Sequence, residues 1–234
     1  MAIKPILFNT EMVHAILDGR KTCIRRVIKH NTEAVLNSTY HMEHPEIEDA
    51  WFIRRLCRAP YAPGDILYVR ETWHRYTKLV GKGEGCHLEE HYGYKASIAN
   101  SEDAAEPWKP SIHMPKEAAR IWLKVTDVRV ERLQDITEDG AKAEGMPDSL
   151  DYPVDKAYCP LCKGEGIIGT VDVHSLGHVD VDCPYCDSYR KRFENLWNSI
   201  NKKSFDRYGW DANPWVWVIE FERREKPQEA SNDN

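Results

Sequence analysis

Four cysteines stand in two tight pairs, Cys159-Pro160-Leu161-Cys162 and Cys183-Pro184-Tyr185-Cys186, with twenty residues between the pairs. Two Cys-x-x-Cys turns at that separation let four thiolates surround one zinc ion tetrahedrally, so the segment is constrained to fold back on itself around a metal. Lys163-Gly164-Glu165-Gly166 follows the first pair and supplies glycines where the chain turns beneath the metal; His174 and His178 between the pairs are substitute ligands. A closed four-thiolate site leaves no open coordination position. The expected zinc, one per chain, is therefore structural, and it closes an insertion over residues 150–188 that holds too few apolar side chains to close itself. A knuckle of this kind also presents side chains such as Tyr185, His174 or His178 to nucleic acid. Cys23, Cys57 and Cys86 have no partners at metal spacing, and an odd total of seven cysteines speaks for a reducing compartment rather than a secreted disulfide framework.

The remaining chain is long enough, at 234 residues with eight Trp and 41% hydrophobic residues, to build a sizeable core. No window approaches the roughly 18 apolar residues of a membrane span, and the start lacks the features of a signal peptide, so no membrane partner and a cytoplasmic location are expected. The net charge of -6 excludes a protein that coats nucleic acid over its whole surface. Positive charge is instead local: residues 1–30 hold six Lys and Arg against two acids, with Arg20, Lys21, Arg25 and Arg26 close together. An arbitrary cluster of this kind is usually a solvated turn.

Met12, Val13, Ile16 and Leu17 share a helical face over residues 11–18, with Thr10 as the expected N-cap and Gly19 beyond the last turn. Residues 30–58 read as a loop with one helix over 45–55. Pro60 to Asp65 form a turn cluster before a strand over 66–70 that leads to Glu71 and Trp73. Residues 77–106 read as a surface excursion with a short strand over 92–95. The alternation from Ala119 to Leu133 changes phase near Asp127, which predicts a long strand with a bulge or two paired strands. A short helix begins near Asp135 and stops at Gly145, another carries Phe193, Leu196, Trp197 and Ile200 over 188–200, and residues 215–221 form the clearest strand. Without a βαβ rhythm, the pattern is α+β or a small barrel.

Asp18-Gly19-Arg20-Lys21-Thr22 after the first helix, Gly64-Asp65, Arg70-Glu71-Thr72-Trp73, Trp108 to Pro115 and Trp210 to Trp217 resemble the ASCH domain, a branch of the PUA-like superfamily, and look closest to the longer ASCH proteins of phages and prophages. The resemblance implies a PUA-like small β-barrel with peripheral helices, one domain over residues 1–224; the knuckle lies outside the resemblance as an insertion, and the polar residues 225–234 read as a disordered tail. It implies an RNA or modified-nucleoside partner, bound by Arg20, Lys21, Thr22, Arg25 and Arg26 beside an aromatic-lined cleft with Glu71 and Trp73. Some small bacterial ASCH proteins remove the acetyl group of N4-acetylcytidine with a lysine, a threonine three residues later and a glutamate in a following helix. Lys21 and Glu144 occupy the first and last of these positions, and Ile24 stands where the threonine would be. The resemblance thus implies a binding module first, an amidohydrolase as the alternative, and a ribonuclease last. Trp108 and His113, in a Pro-bounded loop, are candidates for a lid.

Overall fold

A computed structural model describes residues 1–97, 107–147, 162, 167–171, 175, 177–183 and 188–227. The expected tail falls mostly outside these residues. The fold is mixed α+β, as the sequence predicts, with one five-stranded sheet and two separate two-stranded hairpins. The five-stranded sheet is open, with an edge strand at each end, and is not a closed barrel. Among the described residues no helix is long and apolar enough to cross a membrane. The chain forms two compact units, one of residues 1–18, 62–126 and 221–234, the other of residues 19–61 and 127–220.

In the first unit, β1 (Ile3–Leu7) runs parallel to β3 (Ile66–Arg70), with Ile3 opposite Ile66 and Leu7 opposite Arg70. The helix α1 (Thr10–Leu17) lies between them in sequence and buries Val13, Ala15 and Ile16. Its N-cap is Asn9 rather than the expected Thr10: the Asn9 side chain accepts from the Met12 amide at 2.8 Å, which leaves Thr10 as the first helical residue. β3 continues antiparallel into β6 (Trp122–Arg132), pairing Tyr68 with Trp122. Strand β6 is one uninterrupted element whose buried side chains change phase between Val125 and Val128, where it passes from one unit to the other. The predicted surface excursion is instead a regular hairpin of β4 (Trp73–Val80) and β5 (His87–Tyr94). Its outer part is exposed on both faces, with Leu79 and Leu88 in solvent, so the sequence carries no apolar alternation to announce it.

The turn that starts β3 is organised by Asp65. Gly64 adopts φ 87°, and the Asp65 carboxylate accepts from the Ala2 amide at 2.9 Å, the Ala62 amide at 3.1 Å and Lys4 Nζ at 2.7 Å. One side chain thus ties the N-terminus to the turn and fixes the parallel register of β1 and β3.

In the second unit, β2 (Cys23–Val27) pairs antiparallel with the first part of β9 (Trp215–Arg224), Cys23 opposite Glu220 and Val27 opposite Val216. Three short helices, α2 (Thr32–Leu36), α3 (Thr39–Glu43) and α4 (Asp49–Leu56), occupy the segment expected to be mostly loop. The first two are single turns started by the Asn31 and Ser38 side chains, too short for a helical period to register in the sequence. α5 (Glu138–Ala143) is capped by Thr137, and α6 (Tyr189–Ile200) by Ser188. They pack Ala141, Phe193 and Trp197 with Leu133, Ile136, Trp210, Val216 and Val218 into one core. The unit also contains the hairpin β7 (Ile167–Val171) with β8 (His178–Asp182), and the single-turn α7 (Phe205–Tyr208).

The Lys4 hydrogen bond, reinforced by the amides of Ala2 and Ala62, holds the Asp65 carboxyl below the usual carboxylate range. Replacing Asp65 by Ala is expected to lower unfolding free energy by about 1–3 kcal/mol at neutral pH, measured by urea denaturation. Because the folded-state value is depressed, this contribution is fully present above the unfolded value, about pH 4, and disappears as pH falls through the folded one. The difference between wild type and variant should therefore shrink in acid.

Candidate functional site

The basic segment after α1 does not form an exposed turn throughout. Lys21 and Glu144 are bridged antiparallel through their backbones, and the Thr22 amide donates to the Ala143 carbonyl at 2.8 Å. Arg20 closes the same junction by donating to the Gly145 carbonyl at 2.6 Å, where Gly145 turns the chain at φ 95°. With the start of β2 clamped to the end of α5, strand alternation puts Lys21, Cys23 and Arg25 on the side facing Glu144 and sends Thr22, Ile24 and Arg26 to the other.

Lys21 Nζ donates to Glu144 Oε2 at 2.7 Å and to the Glu144 carbonyl at 2.8 Å. Arg25 Nη1 reaches Glu144 Oε1 at 3.3 Å, and its Nη2 reaches Glu131 Oε2 at 3.2 Å. Lys21, Arg25 and Glu144 are 3%, 6% and 5% exposed, so this is a desolvated cluster of two cations and two carboxylates, with Glu131 at its wetter end. Arg129 extends it, donating to Glu131 at 2.5 Å and to Glu220. Cys23 lies within the cluster, 3.7 Å from Arg25 Nη1, and burial, aided by the Glu144 charge, pushes its thiol up to about 12. It is therefore a neutral thiol at physiological pH and a poor nucleophile. Gly140 is part of the geometry, since a Cβ there would come within 3.2 Å of Arg25 Nη2.

The structure thus brings together Lys21, Arg25 and Glu144, with Arg20 beside them. Thr22 is exposed and Arg26 half-buried, while Ile24 is buried opposite Ile219. Glu71 and Trp73 belong to the first unit. Glu71 is buried in a two-pronged ion pair with Arg120, both contacts at 2.8 Å, and Arg120 lies 4.2 Å over the Tyr94 ring. Trp73 packs with Ile66, Met114, Ala118 and Trp122, and Lys109 lies over its ring. The Trp108 ring lies tilted against that of His74, with centroids 4.5 Å apart, and the loop carrying His113 is held by Arg70, which donates to the Ile112 and Met114 carbonyls. Sequence reasoning missed Glu131 and Arg129; their signal was the spacing by two along Val128-Arg129-Val130-Glu131, which puts two opposite charges on one strand face.

Of the predicted zinc ligands, Cys162 and Cys183 are described, whereas Cys159 and Cys186 lie outside the described residues, as does His174. Cys162 and Cys183 are 4% and 0% exposed and pack together with Ile168. The pairing of Ile167 with Asp182 explains this: the hairpin's open end delivers one cysteine from each flank to the same place. Ile167, Val171, Val179 and Val181 are all exposed, so the hairpin buries little apolar surface of its own. A two-stranded hairpin with so small a core is marginal in water, and a metal at its base would supply the missing stability. The cysteine side chains present fit zinc. His178 lies across Gly169 on an exposed part of the hairpin.

No family model matches the chain, and no curated protein or solved structure matches it.

Removing one carboxylate from the buried cluster should cost far more than a surface change. Glu144→Gln leaves Lys21 and Arg25 buried against a neutral amide, and the expected loss is about 3–5 kcal/mol in urea denaturation. A loss below 1 kcal/mol would show that the cluster is hydrated and relaxes freely. Thiol mapping by mass spectrometry at pH 8 should find Cys86, which is exposed, alkylated well before Cys23.

Proposed function

We propose that this chain is an ASCH-type, PUA-like protein that binds RNA or a modified nucleoside, with Lys21, Arg25 and Glu144 at the centre of the site and a structural zinc in the Cys159, Cys162, Cys183, Cys186 knuckle. The observation that carries the reading is the 2.7 Å contact between Lys21 and Glu144, two residues 123 positions apart that the resemblance pairs in one site. Buried ion pairs contribute little net stability compared with apolar packing, so a four-membered charged cluster asks for another reason. A nucleobase edge presents donors and acceptors side by side, and a lysine, an arginine and two carboxylates complement both. Arg20 lies beside the cluster, where it can meet the sugar and phosphate, whereas Thr22 and Arg26 face the other side of β2 and enter the proposal through the resemblance alone. Glu71 and Trp73 are engaged by Arg120 and by the core of the first unit, and the proposal does not draw on them.

The same contact favours a second reading, an amidohydrolase acting on N4-acetylcytidine, in which water adds across the amide to give acetate and cytidine, with Lys21 and Glu144 moving the proton. The nucleophile is the difficulty. Position 24 carries no hydroxyl and faces away from Glu144, and Cys23 is held as a neutral thiol, so only an activated water would serve.

Incubating the protein with N4-acetylcytidine, free and within RNA, followed by mass spectrometry and equilibrium dialysis, separates the readings. The binding module predicts retained, chemically intact nucleoside whose retention falls in Arg20→Ala and weakens with salt. Release of acetate that vanishes in Lys21→Met establishes the hydrolase, and neither retention nor release overturns both. For the knuckle, metal analysis should return one zinc per chain, lost in Cys162→Ser; purified, reduced protein without zinc would remove that part of the proposal.

A further inference from the structure

The second unit contains a cavity of about 300 Å³ that shares no residue with the Lys21 cluster. Its lining includes Ile28, Arg132, Arg207, Tyr208, Pro214 and Trp215. Two features make it more than a crevice between helices. The first is its charge: two guanidinium groups face one carboxylate, that of the exposed Glu33, and neither arginine forms an ion pair within the described residues. Arg132 is held in place instead, donating to the Asn213 carbonyl at 3.0 Å and lying 4.3 Å over the Trp215 ring, while Arg207 lies beside the Tyr208 ring. The second is Trp215 itself, 8% exposed, whose ring lies under the Arg132 guanidinium and gives it a rigid floor.

We infer that this cavity binds a nucleoside monophosphate. Guanidinium groups grip a phosphate through paired N–H donors, and Arg132 is already ordered by its carbonyl bond and by Trp215, so little freedom is lost when the ligand arrives. Phosphate alone would leave most of the volume unfilled, whereas Ile28, Pro214 and the Tyr208 ring offer an apolar wall suited to a planar base. The site goes beyond the function proposed above and does not depend on it.

Isothermal titration of the full chain with AMP, CMP, the corresponding nucleosides and inorganic phosphate tests the assignment. One equivalent of monophosphate should bind, and Arg207→Ala, which alters an exposed side chain, should weaken it about tenfold, the loss expected for one charge-assisted hydrogen-bond partner. Arg132→Lys keeps the positive charge but loses the paired N–H donors, and should also weaken binding. Nucleosides without phosphate should bind at least tenfold more weakly. Inorganic phosphate binding as tightly as AMP or CMP would overturn the ligand class. No monophosphate binding, or binding indifferent to Arg207→Ala and Arg132→Lys, would overturn the site, and the second result would move the nucleotide to another part of the chain, such as the Lys21 cluster.

Discussion

The second unit depends on the contact that joins the beginning of β2 to the end of α5. Lys21 and Glu144 meet through backbone and side chains together, and Arg20, Thr22 and Arg25 each add a bond across the same seam. Charged groups this far from water are tolerated only when their partners are in place, because an isolated buried ion costs far more than a hydrogen bond returns. The four charges must therefore arrive as a set. That requirement fixes which face of β2 looks toward α5, and through the pairing of β2 with β9 it sets the register against the Phe193, Trp197 and Trp210 core.

The first unit has a charged pair of its own, Glu71 with Arg120, and the contrast is instructive. There the carboxylate is gripped by one guanidinium alone, which is in turn covered by Tyr94 and tied to Ser97. The arrangement pins residues 95–97 and the stretch before β6 to the end of β3, a positioning task. In the second unit the charges are shared among several residues, and the exposed Thr22 and half-buried Arg20 lie beside them. A neutral thiol at position 23 and a buried isoleucine at position 24 are poor nucleophiles, which is why the proposed function puts binding before covalent chemistry.

Much of this was legible in the sequence, and the gaps have physical causes. Within the α+β class, α1 and α6 followed from apolar period because each has a dry face and a wet one, and β3 and β9 from runs of β-branched and aromatic residues, which the sheet buries on both faces. The β4–β5 hairpin left no such trace, since its outer half is wet on both faces, and α2 and α3 are single turns held by Asn31 and Ser38 rather than by a hydrophobic stripe. Arg20, Lys21, Arg25 and Arg26 were visible as a cluster, but the sequence carried no sign that Lys21 and Arg25 turn inward, because their partners Glu131 and Glu144 lie more than a hundred residues away. The expected small barrel is an open sheet: alternation along one strand identifies a strand and says nothing about how the last strand meets the first.

The central claim is that the Lys21–Glu144 pair is kept for what it recognises rather than for what it stabilises. The most direct test is the double replacement Lys21→Met with Glu144→Leu, scored for unfolding free energy and for nucleoside retention on one preparation. The account predicts a protein that loses less stability than Glu144→Gln does, since the buried pair is exchanged for apolar groups of similar volume and Arg25 keeps Glu131, and that no longer retains nucleoside. A variant that binds as wild type does would contradict it.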